Sequence, residues 1–185
     1  GCGRRELPAA IDISPYSSIA VVPFRTDGYF ERYGAEIADQ VVIELIDREA
    51  RLRVVELPPP SPAPPGAEPE EDPVDALARA AREAGADLLV SGSCLVRVDW
   101  VRRAWLARQA YATATVRVVD TRQNRVLTAW RETATSETQA LPVPSEGYPV
   151  EPDTVAFRVD RSDPELREAA IVQLATRIVS RLGVR

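Results

Sequence analysis

The chain has 185 residues, 45% of them hydrophobic and 28% charged, with a formal charge of −5. That composition supports one domain of ordinary size with a sizeable core, and it argues against global disorder. Histidine is absent and cysteine occurs only at positions 2 and 94. This excludes His-based triads, a His general base and most zinc, iron and copper sites, so no metal and no cofactor is expected. All 23 basic residues are arginine. A net acidic chain is a poor non-specific nucleic-acid binder, because such affinity comes mainly from phosphate neutralisation.

The elements are predictable in chain order. Residues 1–17 are polar, carry Pro8 and Pro15 and show no clear period, which predicts a tether. Ser18 to Phe24 is a short apolar run and predicts a buried strand. Asp27 and Gly28 mark a turn. Tyr33 to Ala50 predicts an amphipathic helix with Ile37, Val41, Val42, Leu45 and Ile46 inward. Arg51 to Leu57 predicts a second strand. Residues 57–73 hold eight of the sixteen prolines, then Glu68, Glu70, Glu71 and Asp72. Proline fixes φ and removes donors, so this acidic stretch predicts an exposed loop within the domain.

Asp72-Pro73 with Asp75 predicts a helix start, and Gly85 its stop. Asp87 to Val98 predicts a strand interrupted by Gly92. Tyr111 to Asp120 and Arg125 to Thr135 predict two further strands around a Gln123-Asn124 turn, where Asn tolerates a left-handed backbone. Ser162-Asp163-Pro164-Glu165 places cap, proline and acid in order for a last helix, with Leu166, Ala170, Leu174, Ile178 and Leu182 inward. The expected fold class is α/β. It is a single-domain sandwich over 18–185, a mixed sheet of about five strands packed by three helices.

The chemistry is sparse. No phosphate loop, dinucleotide fingerprint, nucleophile elbow or metal-ligand spacing occurs. Cys94 lies on a predicted strand with no histidine to activate it, which predicts a small core side chain and not a nucleophile. The catalytic set is therefore none. The unusual surface segment is 99–108, predicted as a hairpin tip carrying Trp100, Arg102, Arg103 and Trp105. Indole and guanidinium suit a membrane–water interface, and both are enriched at protein interfaces, so these four residues are expected to contact membrane or partner.

Gly1-Cys2-Gly3 at the start, with no methionine in the chain, resembles a processed bacterial lipoprotein whose Cys2 carries the acyl chains. Acylation contributes about 0.8 kcal/mol per buried methylene, so a multiply acylated Cys2 holds a protein on a bilayer without a spanning helix. The residue after Cys2 is not Asp, which in lipoproteins implies the outer membrane.

Three further segments resemble one family. They are Ile19 to Phe24 with the helix through Leu45 and Arg53 to Glu56; Gly85-Ala86-Asp87 to Gly92-Ser93; and Val116 to Thr121. Together they resemble the CsgG-like and PelC-like export lipoproteins, related to the amino-terminal domain of TolB. The resemblance implies a periplasmic lipoprotein on the inner leaflet of the outer membrane, associating with copies of itself and with an export or envelope complex. Spanning hairpins of the CsgG type would fall at 99–110, short for strands of about 9–11 residues, and at 135–160, where prolines interrupt alternation. A non-spanning, ring-forming PelC-like subunit is therefore the first expectation. A monomeric accessory lipoprotein of lipopolysaccharide assembly or lipid transport is the alternative, and a carboxylate-based enzyme the third.

Overall fold

A computed structural model describes residues 11–26, 31–59, 73–102, 106–142, 157–159 and 161–183. The chain order is β1 (Ser18–Val21), α1 (Glu31–Arg48), β2 (Arg53–Glu56), α2 (Pro73–Glu83), β3 (Leu88–Arg102), β4 (Leu106–Asp120), β5 (Arg125–Pro142), β6 (Phe157–Val159) and α3 (Asp163–Arg181). The sheet order is β2-β1-β3-β4-β5-β6. The expected five strands and three helices are present, and the three-residue β6 extends the sheet by pairing with the end of β5.

Strand β1 runs parallel to both β2 and β3, whereas β3, β4 and β5 are antiparallel. The β1-α1-β2 and β2-α2-β3 connections step across the sheet in opposite directions. Right-handed crossovers then place α1 and α2 on opposite faces. The β1 residues alternate accordingly. Ile19 and Val21 join the core under α1 and α3, and Ala20 and Val22 the smaller core under α2. On β4, Ala110, Ala112 and Ala114 are fully buried beneath α3, whose own Ala170 and Ala175 are also buried. Small side chains on both sides permit close helix approach.

Four predictions need correction. Gly92 does not interrupt its strand. It pairs with Val116 within a continuous β3, and an added Cβ would lie 2.0 Å from the Thr115 carbonyl oxygen and 3.0 Å from the Phe24 ring. The glycine makes room for Phe24. Ile46 is not inward but 56% exposed, because the buried face of α1 centres on Ile37, Val41 and Leu45. The predicted hairpin tip at 99–108 is largely strand: β3 runs to Arg102 and β4 starts at Leu106, each with 15 residues, paired from Leu88↔Asp120 to Arg102↔Leu106. Strand β5 likewise runs seven residues past the predicted end at Thr135, to Pro142.

The capping signals read as expected. The Ser162 N–H and hydroxyl donate to the Glu165 carboxylate at 2.6 and 2.8 Å, closing the first turn of α3. Gly85 ends α2 at φ 75°, and Asn124 takes φ 48° in the β4–β5 turn. Residues 11–17, within the predicted tether, lie along the domain. The Ile11 N–H donates to the Arg181 carbonyl at 3.1 Å, and Ile13 is buried. The Asp27-Gly28 turn and most of the proline loop fall outside the described residues.

Candidate functional site

Of the predicted contact residues, Cys2, Arg103 and Trp105 fall outside the described residues, and Arg102 is described as backbone at the end of β3. Trp100 stands on the helix-side face of β3, about half exposed. It pairs across the ladder with Arg108, whose guanidinium lies 4.9 Å from the indole centroid. The same guanidinium forks onto Asp163 at the start of α3, with Nε–Oδ1 at 2.9 Å and Nη2–Oδ2 at 2.7 Å. That hydrogen-bonded fork holds the Asp163 carboxyl below the usual carboxylate range, against the opposing effect of burial.

One guanidinium thus ties the aromatic end of the hairpin to a helix terminus. Strand prediction could not find this link, because Arg108 and Asp163 are far apart in sequence. The anchoring also limits how much hairpin is free. Among the described residues, only Val101↔Ala107 and Arg102↔Leu106 follow beyond the Trp100↔Arg108 pair. That is far short of the roughly 9–11 residues each spanning strand needs. The two strands are long, and most of their length is paired within the domain.

At the opposite end of the sheet the Gly85-Ala86-Asp87 and Asp120-Thr121 segments meet. Asp87 Oδ2 accepts from the Ser17 N–H at 3.0 Å and hydroxyl at 2.8 Å, and Oδ1 accepts from Arg122 Nε at 2.9 Å. Burial pushes this carboxyl up, but the Ser17 and Arg122 bonds outweigh it and set the pKa at about 2. The Thr121 hydroxyl donates to the Ala86 carbonyl at 2.5 Å. Asp120 accepts the Arg122 and Gln123 N–H groups and the Tyr16 hydroxyl. These carboxylates are satisfied by the chain itself, so the cluster locks β1, β3 and β4 together.

The remaining chemistry is inert or diffuse. Burial pushes the Cys94 thiol up to about 12, which leaves it protonated and unreactive at neutral pH. Among the described residues, no group of three or more His, Cys, Asp or Glu could hold a metal ion. No described helix is long and apolar enough to cross a membrane. A groove of about 350 Å³ between α1 and α3 is lined by Arg32, Tyr33, Glu36, Asp39, Arg167 and Glu168 among others. The Tyr33 ring has the Arg32 and Arg167 guanidinium carbons 4.7 and 5.9 Å from its centroid, and Arg32 donates to its hydroxyl at 2.8 Å. No activated nucleophile lines this groove.

No protein-family model matches the chain, and no curated protein matches it in sequence. Solved structures do match. A subunit of the PelC dodecamer from Paraburkholderia phytofirmans is 13% identical, with 96% of this chain and 94% of that one covered and a TM-score of 0.50. The hypothetical protein CT253 from Chlamydia trachomatis is 16% identical over 90% of this chain and 95% of that one, also at 0.50. Lipoprotein GNA1162 from Neisseria meningitidis is 12% identical over 90% and 98%, at 0.46. At these identities the likeness is one of fold. Of the resemblances drawn from sequence, it supports the PelC-like one: this chain has a PelC-like α/β fold, matched over nearly its whole length.

Proposed function

We propose that the protein is a periplasmic lipoprotein, a structural, non-catalytic subunit that assembles with copies of itself beside an outer-membrane export or envelope complex. The observation that carries this reading is the fold likeness to the PelC dodecamer subunit over 96% of the chain. The inert Cys94 and the self-satisfied carboxylates at Asp87 and Asp120 agree with a role that involves no bond chemistry. In this reading acylated Cys2 anchors the chain to the inner leaflet of the outer membrane. Trp100, Arg102, Arg103 and Trp105 meet lipid headgroups or a neighbouring subunit.

The anchor has a direct test. Native protein from the membrane fraction of its own host should carry the mass of acyl chains on Cys2. Cys2→Ser should move nearly all of it to the soluble periplasmic fraction while its melting temperature stays unchanged. Unmodified wild-type protein in the soluble fraction would overturn the lipoprotein reading.

A further inference from the structure

Among the described residues, six large hydrophobic side chains are markedly exposed: Ile43, Ile46, Leu95, Trp100, Val126 and Val172. Four of these sit on two opposed surfaces. Ile43 and Ile46 lie on the outer face of α1, and Val172 lies on the outer face of α3 beside it. Leu95 lies on the opposite face of the sheet, because its neighbours Cys94 and Val96 point into the core under α1 and α3. Around Leu95, Ser93, Thr133 and Thr135 are exposed and Thr113 and Thr115 half-buried, so this part of the sheet is open.

The two surfaces carry opposite charge. On the helix surface Glu36, Asp39, Asp47 and Glu168 are exposed around the aliphatic residues. Of the basic groups there, Arg32 and Arg167 are turned onto Tyr33, Arg48 is paired with Glu44 at 2.8 Å, and Arg161 is exposed beside Glu165 and Val172. On the sheet surface Arg117 and Arg131 are exposed on the same face as Leu95, level with Ser91 and Ser93 in the ladder. Asp99, an acid on that surface, is held by Arg97 at 3.1 Å, and Glu137, the other, is half-buried.

An apolar centre with an acidic surround on one side, and an apolar centre with a basic surround on the other, is the pattern of a heterologous contact. An isologous dimer would bring like charges together on either surface. We infer that copies of this chain pack head to tail, with the outer face of α1 and α3 of one copy seated on the open β3-β4-β5 face of the next. This rests on the proposal that the protein self-associates, and it names the surfaces that do so. Such a contact closes into a ring when successive copies turn by a constant small angle, and runs into a filament when they do not.

Charge reversal tests the inference on the full chain, by mass photometry across a dilution series. The helix-face variant Asp39→Arg/Asp47→Arg should raise the concentration at which the wild-type assembly dissociates by at least about tenfold. The sheet-face variant Arg117→Glu/Arg131→Glu should do the same. Mixed in equal amounts, the two variants should reassemble, since each supplies the surface complementary to the other. Reassembly also shows that both are folded.

Variants that assemble like an oligomeric wild type would overturn the head-to-tail contact and leave self-association standing. So would variants that dissociate alone and stay dissociated when mixed, although each melts cooperatively. A wild type that is monomeric throughout would overturn the self-association proposal itself, and this inference with it.

Discussion

Gly34→Ala is expected to destabilise the protein by about 3–5 kcal/mol, although alanine is the better helix former. Intrinsic propensity favours alanine over glycine in a helix by about 1 kcal/mol. At Gly34, in the first turns of α1, the added Cβ would lie 1.8 Å from the Phe24 carbonyl oxygen and 2.9 Å from its carbon. Both are backbone atoms, so no side chain can swing away. The Gly34 carbonyl also accepts the Phe24 N–H at 3.1 Å, a bond that holds the chain leaving β1 against the helix. Steric displacement of backbone outweighs the propensity gain several-fold.

Gly85→Ala makes the control. Its φ of 75° is strained for alanine, but the new Cβ would meet only the flexible end of Arg53, at 2.9 Å. The cost there should be about 1 kcal/mol. Urea unfolding followed by circular dichroism compares the two directly. Equal losses, or a stabilised Gly34→Ala, would show that α1 does not press on the Phe24 backbone.

Acid should remove the contribution of Asp87. The Asp87 carboxyl has a pKa of about 2 in the folded chain, against an ordinary value of 3.8. A group lowered by folding contributes stability that is fully present above its unfolded pKa and lost as pH falls through the folded one. The window is therefore about pH 4 down to pH 2. The expected loss is about 2 kcal/mol across it. In Asp87→Asn the stability at pH 7 should drop by about 2–3 kcal/mol, because Arg122 and the Ser17 N–H lose their anion. The variant's pH profile should flatten between pH 4 and 2. Some slope should persist from Asp163 and Glu165, whose carboxyls are also lowered. Parallel profiles for variant and wild type would show that Asp87 is not the group titrating.

Much of this architecture was legible because local chemistry and tertiary packing agree. Ser162, Pro164 and Glu165 signal the start of α3 within four residues, and Asn124 signals its turn without outside help. The missed features depend on distant neighbours. The ends of β3 and β4 carry Trp, Arg and Gln among small alanines, so their composition resembles a loop. They are strands because β4 is paired on both sides, with β3 and with β5, and Arg108 adds contacts to Trp100 and Asp163. The outward turn of Ile46 depends on where α3 lies, which helical periodicity in α1 alone does not fix. The likeness in the Asp87 and Asp120 segments was visible as a motif, but its cause was not. Asp120 pairs with Leu88, the residue after Asp87, at the end of the β3–β4 ladder, where Tyr16, Ser17 and Arg122 converge on the two carboxylates.

The central claim is that this body works by standing beside its own copies on a bilayer. Native mass spectrometry of the full chain, extracted from membranes in mild detergent, measures that directly. A single dominant assembly is predicted, at a fixed whole-number multiple of the acylated subunit and with every subunit acylated. A species at the mass of one 20.3 kDa chain, persisting at high protein concentration, would contradict it.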